Sequence, residues 1–277
     1  MNQPARSQGS LPLRDSSAVT GYGMRYALRS CRVWWYSAWL RTLARFSRTF
    51  FGSFWLGLSN FLSVVLLSLV YGTVLKVPDP FNYAIYLGIG LTAWGIISQS
   101  MIAGCALFSS RRDQLINNPM PAIFYCLEEW SFQIQTFSQA FLIILIPIAI
   151  LKPITSIHTL YFIWLPLLNL FLFCLLALIS MAILSSRFKD VGQLTPIILQ
   201  MLFLLSPILY HKKSLGPLSI FAEINPLYRV LHSLRASIID GKVNFIAELT
   251  TLVVLMATIL LSMRLLKALR YKIPLWV

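Results

Sequence analysis

Charge is scarce in this 277-residue chain. Asp, Glu, Lys and Arg make up 12% of it, whereas 57% is hydrophobic and mean hydropathy is +0.73. An average soluble domain carries roughly a quarter charged residues, so the composition excludes an ordinary globular domain and a disordered chain. Acidic residues are the scarcest charge, nine against 23 Lys and Arg. With so few, the clustered carboxylates that transfer chemistry commonly needs are missing. The four cysteines, Cys31, Cys105, Cys126 and Cys174, have no close spacing, which excludes a disulfide scaffold and a zinc site. His158, His211 and His232 are far apart, and no H-E-x-x-H or G-x-S-x-G occurs. The one Gly-Lys pair, Gly241-Lys242, lacks the upstream Gly and the following hydroxyl of a P-loop. No catalytic residue, metal site or cofactor is therefore expected in this chain.

What the sequence has instead is long charge-free runs. They are Thr49–Leu75, Phe81–Ser110, Trp130–Leu151, Pro153–Ser186, Val191–His211 and Val243–Met263, the last interrupted only by Glu248. A helix crosses hydrocarbon in about 20 residues, and open sheet edges are excluded there. The runs predict an all-α membrane protein with six transmembrane helices. Basic residues set the orientation. With the N-terminus inside, sixteen Lys and Arg fall on the inner side and seven on the outer, placing both termini in the cytoplasm. In that topology the excess of positive charge belongs to the membrane, and no nucleic-acid partner is expected. The loop after the fifth run is the exception, with five basic residues outside.

Residues 1–22 are polar, with no short apolar core, and read as a disordered cytoplasmic tail. Residues 23–48 are basic and aromatic and read as an interfacial amphipathic helix. Arg25, Arg29 and Arg32 share one helical face, and Arg41, Arg45 and Arg48 repeat the spacing. Sixteen residues at about 100° each set the two triplets on nearly opposite faces, which calls for a bend or for separate partners. Two readings stand for the second triplet: anchoring on anionic membrane lipid, or reception of an anionic lipid-linked substrate. Between the second and third runs, Asp113, Leu115, Ile116 and Asn117 lie in a short helix with an exposed Leu-Ile pair, fit to dock on a soluble partner; a plain tight loop is the alternative. In residues 212–242, Asn225 is an N-cap with Pro226 in the first turn, and Asp240-Gly241 is a stop. Leu227, Val230, Leu231, Leu234 and Ile238 form an apolar stripe, with Arg229, His232 and Arg235 toward another side. Such a half-length helix re-enters the membrane or lies flat on it. Glu128 and Glu129 are adjacent and point to different faces; Glu248 is the single carboxylate inside a run, near its outer end.

Five short motifs in this order resemble one family. Arg48–Trp55 (RTFFGSFW) is similar to a basic-x-x-Leu-Gly-x-x-Trp opening of the first span, with Phe51 replacing Leu. Gly90-Leu91-Thr92-Ala93-Trp94 resembles a Gly-Leu-x-x-Trp in the second. Arg187-Phe188-Lys189-Asp190 resembles an Arg-Phe-Arg-Asp turn, and Ser206-Pro207-Ile208-Leu209-Tyr210 a Ser-Pro-Ile-x-Tyr. Asn225-Pro226-Leu227 through Arg235, with Gly241 after it, resembles an Asn-Pro-Leu segment. Over about residues 24–270 the chain resembles the membrane subunits of ABC-2 type exporters, particularly the polysaccharide (O-antigen and capsule) permeases. Where the family carries Phe-Pro before the third span, this chain has Asn118-Pro119-Met120-Pro121.

The resemblance implies a six-span domain over 49–272, with short periplasmic gate helices between spans five and six. It implies a homodimer, a separate cytoplasmic ATPase subunit that holds ATP and Mg, and a bacterial inner-membrane location. The implied cargo is a polysaccharide on a polyprenyl diphosphate. Under this reading Arg41, Arg45 and Arg48 meet the lipid head. Trp55, Trp94, Phe203 and Tyr210 guide the glycan. Asn225, Pro226, Arg229 and Arg235 belong to the gate, where the two arginines attract the diphosphate. Asp113, Leu115, Ile116 and Asn117 couple to the ATPase. Exporters of teichoic acid, lipid or drug are the alternative within transport. A membrane-embedded polyprenyl-lipid transferase is the alternative outside it.

Overall fold

The computed structural model describes residues 26, 27, 29–47, 49, 50, 52, 54–74, 76–117, 120–210, 225–270 and 272–276. Arg48, the tail 1–22, the pair Asn118-Pro119 and residues 212–224 of the gate segment lie outside the described residues. Among the described residues all regular structure is helical.

Helix boundaries follow local capping chemistry. The first helix, α1 (Cys31–Phe46), is continuous from Arg32 to Arg45 after an interruption at Ser30, so of the two alternatives for the arginine triplets, a bend or separate partners, no break is seen over the described part. Helix α2 is Phe54–Val74. Helix α3 (Pro80–Ser110) starts where the Asp79 carboxylate accepts from the Asn82 N–H, with Pro80 at its first position. After it come α4 (Arg112–Asn117) and α5 (Ala122–Leu151). Sequence placed the start of the third span at Trp130; the helix begins eight residues earlier and carries Glu128 and Glu129 inside it. The charge-free run 153–186 is two helices, α6 (Pro153–Phe162) and α7 (Trp164–Arg187). At 34 residues it is longer than one span requires.

Helix α8 (Asp190–Leu205) has 16 residues, about 24 Å of rise, less than the hydrocarbon thickness. Residues 206–210 then leave helical geometry. Helix α9 (Pro226–Arg235) passes into a π turn, Ala236–Asp240, closed by Gly241 at φ +61°. Helix α10 (Phe245–Ala268) is capped by Asn244, and a last turn, α11 (Ile273–Trp276), follows it. Five described helices, α2, α3, α5, α7 and α10, are long and apolar enough to cross a membrane, and α8 is a shorter apolar helix.

Helix α3 is the centre of the bundle and packs on α2, α5, α7 and α8. At Gly104 its backbone comes close to that of α7: a Cβ there would stand 2.6 Å from the Leu178 carbonyl oxygen. An interhelical hydrogen bond from Asn60 Nδ2 to Thr92 Oγ1 (2.9 Å) joins α2 to α3. One apolar cluster lies toward α9 and includes Ile89, Ile97, Leu170 and Leu234; a second lies toward α4 and includes Phe108, Leu178 and Ile273.

Candidate functional site

The two ends of α3 each carry a built polar site. At the α9 end, Asn225 Oδ1 accepts from the Leu227 N–H (3.0 Å), while its Nδ2 donates to Ser206 Oγ (3.0 Å). The capping residue thus also ties α9 to the irregular stretch after α8. Leu227, Val230, Leu231, Leu234 and Ile238 are buried, as the spacing predicts.

Arg235 departs from expectation. Sequence put it on the polar side with Arg229 and His232, which are exposed; Arg235 is only 4% exposed. Its side chain reaches inward to α3, into space that Gly90 leaves by having no Cβ. A Cβ there would stand 1.7 Å from Nη2. Nη1 donates to the Pro207 carbonyl (2.8 Å) and Nη2 to the Ile208 carbonyl (2.9 Å). The guanidinium carbon lies 3.7 Å from the Tyr86 ring centroid, in cation–π geometry. The Tyr83 hydroxyl donates to the Leu209 carbonyl (2.5 Å), and the Tyr86 hydroxyl bonds with the carbonyls of Pro207 (3.0 Å) and Tyr210 (3.2 Å). Four successive carbonyls of a non-helical stretch are therefore satisfied by side chains from α3 and α9. Non-helical backbone at membrane depth requires such internal partners. Arg235 pins this stretch in place through both Nη groups; its Nε is buried with no partner among the described residues, and at 4% exposure the guanidinium does not face an external anion.

The aromatic residues expected to guide a glycan divide. Trp94 is buried and meets Phe203 of α8 with ring centroids 5.7 Å apart. Phe203 and Tyr210 pack on the cluster of Tyr83, Leu87 and Leu209. Trp55, near the start of α2, is 48% exposed.

At the α4 end the structure builds an ion-pair network that sequence reasoning missed. Glu128 and Glu129 do point to different faces of α5, but both faces are covered. Glu128 accepts from Arg111 Nη1 (2.5 Å) and Nη2 (3.1 Å) at the end of α3, and from the Ser37 hydroxyl (3.2 Å) of α1. Glu129 accepts from Arg41 Nη2 (2.7 Å) of α1 and from Gln133 Nε2 (2.9 Å). Burial alone would lower the pKa of the Arg111 guanidinium; its hydrogen bond to Glu128, with the charges of Glu128 and Glu129, outweighs this and holds it above the ordinary value. Arg41 also lies 3.9 Å from the Phe132 ring centroid. Arg41 is thus held by α5, whereas Arg45 is exposed. The i, i+4 pair Ser37 and Arg41 facing two carboxylates at a helix start was the readable signal.

Helix α4 follows Arg111 directly. A short helix is present where sequence predicted one, but the Leu-Ile pair is not jointly exposed: Leu115 turns onto the apolar cluster, while Asp113, Ile116 and Asn117 face outward. Tyr125 Oη donates to the Gln114 carbonyl (3.4 Å). The C-terminal turn α11 packs on α4 and α7, with Ile273 buried and the Trp276 ring 5.1 Å from the Arg187 guanidinium carbon.

The family model described as ABC-2 type transporter matches residues 37–239, from α1 through the π turn. The chain belongs to the ABC-2 type transporter family. Both polar sites fall within the matched region. No curated protein matches the sequence. As an ABC-2 permease it is a multi-pass membrane transport subunit, and the family implies a partner ATPase subunit.

Proposed function

We propose that this ABC-2 permease exports a lipid-linked cell-surface polysaccharide across a bacterial inner membrane, with both termini cytoplasmic. It works as a homodimer in which each copy engages a cytoplasmic ATPase that holds ATP and Mg. The observation that carries the exporter reading is the pairing of two devices on one helix. Helix α3 ends at Arg111, next to α4, and holds Arg235 of α9 against Gly90 nearer its other end. In this reading α4 is the ATPase contact, presenting Asp113, Ile116 and Asn117 to the partner. Helix α9 and the following π turn are the periplasmic gate, and α8 with residues 206–210 completes a sixth, broken crossing.

Arg45 meets the lipid head, with Arg48 beside it in sequence, while Arg41 fixes the helix that bears them. Dense aromatics support a glycan as cargo, since ring faces accept sugar rings without binding them tightly. The transferase alternative finds no support in the carboxylates: Glu128 and Glu129 are taken up in ion pairs, and Glu248 is hydrogen-bonded between helices.

Deleting the chain tests the proposal. A lipid-linked glycan should accumulate at the inner leaflet and surface glycan should fall; restoring the chain should reverse both. Unchanged surface glycan with no accumulation refutes the polysaccharide reading.

A further inference from the structure

A cavity of about 870 Å³ opens between α7, α9, the π turn and the first two turns of α10. This is within the size range of small-molecule sites. Its lining brings polar side chains between α7 and α10, two strongly apolar helices: Asn169, Ser233, Asn244, Glu248, Thr250 and Thr251 contribute, with apolar surface between them. The buried side is formed by Asn169, 2% exposed, and Glu248, 8% exposed. Asn169 Nδ2 donates to the Glu248 carboxylate (2.6 Å) and to its backbone carbonyl (3.1 Å). The Ser233 hydroxyl donates to the other carboxylate oxygen. These bonds fix the amide orientation and leave Asn169 Oδ1 buried with no donor among the described residues. A buried acceptor left open beside a cavity calls for a donor from a ligand or from ordered water.

The rest of the wall indicates which ligand. Tyr228 and His232 of α9 line the cavity with ring centroids 5.5 Å apart, and Tyr228 is buried. Arg229, Lys242 and Thr250 are at the exposed side. Carboxylate, amide and hydroxyl groups beside an aromatic face match the edge and face of a pyranose. A phospholipid headgroup would need an apolar groove for its chains. The apolar lining is Pro166, Val230, Ala236, Val243 and Ala247, none larger than Val or Pro. The cavity is also bounded by the π turn, an irregularity common at functional sites.

We propose that this cavity is a sugar-binding subsite, in which hydroxyls of the exported glycan donate to Asn169 Oδ1 and Glu248 and a sugar ring lies against Tyr228. Arg229 and Lys242 at the mouth extend its range to acidic sugars. The inference rests on the polysaccharide reading above.

The test uses the full chain with its ATPase in cells. A benzophenone amino acid is placed at Thr250 and, as a control, at Leu261, about three turns further along α10 and exposed. On illumination the Thr250 position should yield adducts carrying periodate-reactive glycan, and the Leu261 position should not. The variant Thr250→Trp, which narrows the mouth at an exposed position, should slow arrival of surface glycan several-fold while the complex assembles normally. Adducts at Thr250 with phospholipid alone, or glycan adducts equal at both positions, overturn the proposal. If deletion of the chain abolishes surface glycan and Thr250 still never captures it, the subsite alone fails. If deletion leaves surface glycan unchanged, the cargo reading fails and the subsite with it.

Discussion

Replacing Gly90 by Ala tests the pin at the α9 end most directly. In a helix, Gly→Ala ordinarily stabilises by about 1 kcal/mol. Here the new Cβ would stand 1.7 Å from Arg235 Nη2 and 2.6 Å from Cζ, so the guanidinium must leave. It then loses two charge-assisted hydrogen bonds, to Pro207 and Ile208, each worth about 1.5–3 kcal/mol. Its contact with the Tyr86 ring, about 1–2 kcal/mol, goes as well. Partial relaxation of a flexible side chain recovers some of this, leaving a net destabilisation on the order of 3 kcal/mol. The measurement is a double-mutant cycle with Arg235→Ala, read by tryptophan fluorescence during titration from mild detergent into SDS. Once Arg235 is Ala, no guanidinium meets the new methyl, and Gly90→Ala should become neutral or mildly stabilising. If Gly90→Ala has the same effect in both backgrounds, to within about 0.5 kcal/mol, the two residues are uncoupled and the pin does not exist as described.

Other expectations concern the α4 end. Arg111→Met removes the closer cation from the buried Glu128 carboxylate, leaving it the Ser37 hydroxyl and Arg41 Nη1 at 3.8 Å, and should cost on the order of 2–3 kcal/mol, whereas adding Glu128→Gln should recover part of that loss in the same titration. Ile116→Asp changes an exposed residue of α4, so it should leave folding intact and reduce co-purification of the ATPase; undiminished co-purification places the contact elsewhere. Leu115→Asp puts a charge into the apolar cluster and should lower stability before it touches coupling, which limited proteolysis of the detergent-purified chain would show. Ending the chain after Lys272 removes Ile273 and Trp276 and should loosen α4 and the end of α7, visible as faster hydrogen exchange in Arg112–Asn117.

Much of the fold was readable because capping and charge are local. Asn225-Pro226 and Asp240-Gly241 bound α9 and its π turn as their chemistry requires, and the uncharged runs located every long helix. Errors arose where a long-range partner overrode a local rule. Charge groups Arg235 with Arg229 and His232, but at about 100° per residue it lies only about 40° from Leu231, at the edge of the apolar stripe, and Gly90, some 145 positions earlier, leaves space for its guanidinium. The glutamate pair marked the edge of a span only while Arg41 and Arg111 were unseen; with those partners the carboxylates enter the helix and the helix lengthens. Residues 191–211 read as one span because they lack charge. Charge counting could not show that α8 stops at Leu205 and that Tyr83 and Tyr86 take over the hydrogen bonding of the residues beyond it.

Gly104 gives α3 a mechanical property. The Leu178 carbonyl lies so close that a side chain at position 104 would force α3 and α7 apart, and any tilt of α3 relative to α7 would have to turn about this contact. Arg111 lies seven residues to one side of this fulcrum and Gly90 fourteen to the other, roughly 10 Å and 21 Å of helix. A sideways push of 1 Å at the short arm becomes about 2 Å of opposite travel at the long arm, on the rigid-rod geometry of an α-helix. Leverage of this kind would let a small nudge on one side of the bilayer produce a larger opening stroke on the other.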